Sequence, residues 1–98
     1  MHFMLNCVDV PDSRPLRLAN RAAHMAYIDD NVSRILFAGP YRDDQGVTLG
    51  SVLVIEAMDK ADAEAFAAKD PYAKAKVFQR TDICEYISHI VEGKRIPV

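Results

Sequence analysis

The order of apolar segments predicts an α+β fold, β-α-β-β-α-β, with a four-stranded antiparallel sheet and two helices on one face. Three observations carry this. Four short segments have strand-like apolar patterning, and two longer ones have helical spacing, in that order along the chain. The 98 residues suffice for one domain and hardly two. The strands are also apolar on both alternations, with Val52 and Val54 pointing one way and Leu53 and Ile55 the other. Two helices cover one sheet face, so the other needs a second layer, most simply the sheet of an identical chain.

Residues 2–8 begin the chain with Phe3, Leu5 and Cys7 on one face and His2, Met4, Asn6 and Val8 on the other, a strand pattern. A turn through Pro11 follows, and Pro15 suits a first helical position because its missing N–H has no partner there. The helix is expected to reach about Val32, burying Leu18, Ala19, Ala22, Met25 and Ala26. Arg17, Arg21, His24 and Ile28 form an adjacent flank, placed to line a cleft. Ile35 to Ala38 reads as a second strand stopped by Gly39-Pro40, and Thr48 to Ala57 as its hairpin partner. Asp59 is a good N-cap for an alanine-rich second helix running to about Lys69, which Asp70-Pro71 breaks. Phe78 to Ser88 reads as the fourth strand, although the stretch after Glu85 also fits helical spacing, and Gly93 to Val98 as a tail. The arrangement is ferredoxin-like, and residues 1–98 form one domain with no repeat or linker.

Composition narrows function by exclusion. Half the residues are apolar, 27% are charged and the net charge is −2, with neither half of the chain basic. Nucleic acid and membrane surfaces are therefore not expected partners. No apolar run approaches a membrane span, and the N-terminus lacks a basic region and cleavage site, so a cytoplasmic protein is expected. Cys7 and Cys84 stand alone, and the three histidines do not cluster with them, so neither a metal nor a disulfide framework is expected. No glycine-rich phosphate loop or dinucleotide fingerprint is present, and no cofactor is expected.

What remains are Arg21-x-x-His24 on the first helix, Gly39-Pro40 after the second strand, Gly50-Ser51 early in the third, and Asp70-Pro71-Tyr72 after the second helix. Taken singly, each has a plain structural reading: His24 as a polar contact at the core edge, Arg21 as a solvated flank residue, Asp70 as a turn cap, Tyr72 as packing. Together, in this order, they resemble the YCII-related family of small bacterial proteins, which are similar to dimeric α+β barrel proteins and, more distantly, to muconolactone isomerase. The likeness runs over about residues 2–85. The chain departs from the family pattern at Ala22, at Ser33 and at Lys76, where a glycine is usual and where lysine is expected to reshape or narrow the pocket rim.

The resemblance implies a homodimer, with higher assembly open, and a pocket in which His24 and Asp70 meet as a His–Asp pair. One family branch is similar to a dehydrochlorinase that removes HCl from a chlorinated hydroxyhydroquinone. An imidazole titrates near neutrality and shuttles protons, while a carboxylate on its other nitrogen fixes the tautomer. Arg21 would hold a phenolate or carboxylate, and Ser51 and Tyr72 would add hydrogen bonds to a bound oxygen. Two expectations follow: a cofactor-independent lyase or isomerase acting on a small oxygenated cyclic molecule, or a non-catalytic ligand-binding or assembly module on the same dimeric scaffold.

Overall fold

The computed structural model describes residues 1–97. Strand β1 (His2–Asp9) buries every second residue, Phe3, Leu5, Cys7 and Asp9. It lies inside an antiparallel sheet of order β2-β3-β1-β4, formed with β2 (Ile35–Arg42), β3 (Thr48–Glu56) and β4 (Phe78–Tyr86). Phe3 faces Ile55 and Glu85 across the ladder, and Leu5 faces Leu53 and Ile83. Helices α1 (Arg14–Asp30) and α2 (Lys60–Lys69) follow β1 and β3, giving the expected β-α-β-β-α-β order with the helices on one face. A short helix α3 (Pro71–Lys74) then leads into β4.

The core joins Phe3, Leu5, Cys7, Leu53 and Ile55 of the sheet to Ala63 and Phe66 of α2. Phe66 is the one large side chain that α2 buries, and truncating it to alanine would cost about 3–5 kcal/mol. Asp59 caps α2 by accepting from the Asp62 amide at 2.8 Å, as its position predicts. Helix α1 docks differently from the expectation. None of its residues is fully buried, and Leu18, Ala19, Ala22, Met25 and Ala26 face outward, Leu18 at 62% exposure. Its inward side is the flank of Arg17, His24, Tyr27 and Ile28. Tyr27 fixes the docking: its ring packs on Phe66 at 5.3 Å and its hydroxyl donates to the Phe66 carbonyl at 2.7 Å. Polar anchors, and not the alanine-leucine stripe, decide which way the helix faces.

Three further expectations are corrected. Helix α1 ends at Asp30, and Val32–Arg34 form a separate 3₁₀ turn. Gly39-Pro40 does not stop β2; the strand continues to Arg42, with Pro40 opposite Ser51. β2 is an edge strand, where a proline's missing N–H breaks no ladder. The segment after β4 is not helical, and the tail contains a hairpin of β5 (Ile90–Val91) and β6 (Lys94–Arg95). Its two-residue turn places Glu92 and Gly93 at φ 51° and 76°, the left-handed pair that a tight hairpin requires.

Candidate active site

Asp70 sits between α2 and α3 because it ends one helix and starts the next. Its Oδ1 accepts from the Tyr72 amide at 2.9 Å, an N-cap bond, and from His24 Nδ1 at 2.8 Å. Asp70 is only 4% exposed. A buried carboxylate accepts, so Nδ1 must carry the proton in neutral His24, leaving the lone pair on Nε2. Among the described residues no side chain bonds Nε2, so its lone pair is left without a protein partner. The imidazole lies flat on the Tyr72 ring, with centroids 3.8 Å apart and planes 6° from parallel. Phe78 meets the same tyrosine edge-on at 6.1 Å.

Beside this stack lies a second charged unit that the motif reading missed. Asp9 is the fourth inward position of β1, where the alternation delivers a carboxylate instead of an apolar group. It accepts from Arg17 Nε at 2.7 Å, Arg17 Nη2 at 2.8 Å and Ser13 Oγ at 2.6 Å. Burial alone would pull the Arg17 guanidinium down, but the Asp9 hydrogen bond and charge outweigh it and hold Arg17 above its ordinary value. Arg17 also donates to Ser51 Oγ at 2.9 Å and sits 5.0 Å from the Tyr72 ring centre. The signal was in the sequence: Arg17 precedes His24 by seven residues, two helical turns, on one flank.

A cavity of about 620 Å³ opens between the first turns of α1 and the β2–β3 connection. Its walls include Arg14, Arg17 and Arg21 of α1, Pro40 and Arg42 of β2, and Tyr72. That volume suits a small organic ligand. Of the expected site residues, Tyr72 and Arg21 line the cavity, Ser51 accepts from Arg17, and His24 with Asp70 adjoins it through the Tyr72 ring without being among its walls. Arg21, expected to be the anion holder nearest His24, is exposed, and Arg17 occupies the inner place. Lys76 is not among the walls and does not narrow the rim. It adopts a left-handed φ of 62°, the conformation that favours glycine at this position.

A family model described as YCII-related domain matches residues 1–87. The chain belongs to this family. The YCII-related protein is also similar to a solved 5-chloro-2-hydroxyhydroquinone dehydrochlorinase, TftG from Burkholderia phenoliruptrix AC1100, in complex with 2,5-dihydroxybenzoquinone. The two share 30% identity at a TM-score of 0.79, covering 89% of this chain and 94% of that one. Two more distant likenesses concern overall shape only. A mutant of MhuD with two manganese protoporphyrin IX per active site gives 19% identity and a TM-score of 0.49, covering 96% of this chain and 100% of that one. Rv0793 from Mycobacterium tuberculosis gives 13% and 0.48, covering 89% and 94%. No curated protein matches the YCII-related chain. Among its described residues no helix is long and apolar enough to cross a membrane.

Proposed function

We propose that this protein is a cofactor-independent lyase or isomerase acting on a small oxygenated ring, with His24 as general acid and base and Asp70 as its orienting partner. The observation that carries this reading is the 2.8 Å bond from His24 Nδ1 to a buried carboxylate, which leaves Nε2 as the proton-exchanging atom. The likeness to a dehydrochlorinase supports an elimination. On a chlorinated hydroxyhydroquinone, a hydroxyl proton passes to Nε2 and is returned to the chlorine-bearing carbon, which becomes tetrahedral. Loss of a second hydroxyl proton then drives electrons through the ring and expels chloride, so one proton and one chloride leave. Arg17 holds the developing oxyanion with Ser51 behind it, and buried Tyr72 backs the His24 imidazole by stacking on it. An isomerisation would use the same shuttle without a leaving group.

The working unit in this reading is a homodimer built on the sheet face that the helices leave uncovered. Phe37, half-exposed at 50%, lies there opposite Val54. One observation favours the second reading, a binding module without turnover: Tyr72 lines the cavity and His24 does not.

Chloride release from 5-chloro-2-hydroxyhydroquinone, followed alongside isomerisation of small lactones, separates the two. The expected result is turnover that falls roughly 10²–10⁴-fold in His24→Gln and at least about tenfold in Asp70→Asn. Both variants should keep the native circular dichroism spectrum. Full activity in both variants overturns the acid–base assignment. Binding without turnover in the native chain supports the module.

A further inference from the structure

The cavity walls collect charge that the overall composition hides. Four of the five arginines in residues 1–49 line one cavity, in a chain whose net charge is −2. Arg14, Arg17 and Arg21 follow one another at steps of three and four, so they form one row on α1, and Arg42 faces them from β2. Arg17 is neutralised by Asp9. Among the described residues, Arg14, Arg21 and Arg42 form no ion pair, and Asp12 is the one carboxylate among the cavity walls. The unpaired Arg14, Arg21 and Arg42 line one cavity and so add their positive potential there, and a bound anion meets it. The first turn of the 17-residue α1 borders the same space, adding the positive end of its dipole.

We propose that the cleft takes a two-part ligand: an oxygenated ring beside Arg17, and an oxyanion arm, carboxylate or phosphate, held by Arg14, Arg21 and Arg42. The ring half rests on the acid–base reading above; the arm half rests on the unpaired guanidinium groups alone. A planar fork of donors matches either oxyanion in bidentate fashion, and three arginines from two elements line the one cavity. An arm placed there lies toward solvent, because Arg14, Arg21 and Arg42 are exposed whereas Arg17 is half-buried and Tyr72 buried.

Calorimetric titration of the full chain with hydroquinone, 2,5-dihydroxybenzoate and hydroquinone monophosphate tests this by binding, independently of turnover. At low salt the better of the two anionic probes should bind roughly tenfold or more tighter than hydroquinone, and the identity of that probe tells carboxylate from phosphate. The advantage should shrink as ionic strength rises. The double variant Arg21→Gln/Arg42→Gln should bring the anionic probe down to the affinity of hydroquinone; both positions are exposed, and a thermal melt checks that folding is kept. Equal binding of all three probes, no binding of any, or a preference that survives the double variant overturns the proposal. A chain that turns nothing over can still pass, and one that turns over can still fail, so the two readings stand or fall separately.

Discussion

Asp70 shows how much one side chain can organise. Its Oδ1 starts α3 through the Tyr72 amide and orients His24 through Nδ1, so the imidazole is positioned by the same atom that sets the helix boundary. Hydrogen bonds to a charged acceptor contribute about 1.5–3 kcal/mol each. Asparagine would retain an acceptor for both donors while removing the charge, which makes it the sharper substitution. The Asp9–Arg17 pair is similar in kind: with side chains 2% and 14% exposed, removing either partner would cost about 3–5 kcal/mol by stranding the other. Cys7, among the same inward residues of β1, is a thiol that burial pushes up to about 11, so it should resist alkylation at neutral pH until the chain unfolds. Asp62 behaves oppositely. The Met58 amide, donating at 3.0 Å, and the Arg34 guanidinium hold its carboxyl below the usual carboxylate range. A lowered folded-state pKa contributes stability that is present above the unfolded value of about 4 and is lost as pH falls through the folded one. Urea midpoints measured at falling pH should therefore drop more steeply below about pH 4 in the native chain than in Asp62→Asn. Parallel curves would remove Asp62 from the acid response.

The elements owe their ends to local chemistry and their orientation to contacts far away in sequence. Helix α3 closes with the Lys76 amide donating to Ala73 and the Val77 amide to Tyr72, a paired terminus that needs a left-handed residue at Lys76. Lysine meets this need with strain, and Lys76→Gly should raise stability by roughly 0.5–1 kcal/mol, read as a higher urea midpoint at unchanged slope. A lower midpoint would show that the lysine side chain contributes more than its backbone costs. Gly50 shows the opposite constraint, since a Cβ there would collide with the Cys7 carbonyl and the Tyr41 ring, whose hydroxyl reaches Asn6 at 3.0 Å. The strand and helix segments, the Asp59 cap and the break at Asp70-Pro71 were legible because each is set by residues within a few positions. The face of α1 was not. Its small apolar stripe has the right spacing for burial, but the choice is made by Tyr27 finding Phe66 and Arg17 finding Asp9, partners on other elements. The continuation of β2 through Pro40 was hidden for the same reason, since it depends on the strand lying at the sheet edge.

At the scale of the whole molecule, the family pattern picked out His24, Asp70 and Tyr72, which the fold brings into contact, His24 stacked on Tyr72 and hydrogen-bonded to Asp70. It did not reveal the arginine-lined cavity beside them, because residues 14–21 and 42 meet only in the folded chain and their charge vanishes in the total. The uncovered sheet face leads to a prediction of its own. If two chains pair through it, Phe37→Asp should shift the sedimenting species from dimer to monomer; a native chain that sediments as a monomer would contradict the homodimer. The acid–base account itself depends on which nitrogen of one imidazole carries its proton. Long-range ¹⁵N correlation spectra of His24 read this directly. In its neutral form the ring should carry the proton on Nδ1 and a free lone pair on Nε2, and that fixed preference should be lost in Asp70→Asn. A ring protonated on Nε2, or a tautomer indifferent to residue 70, would contradict it.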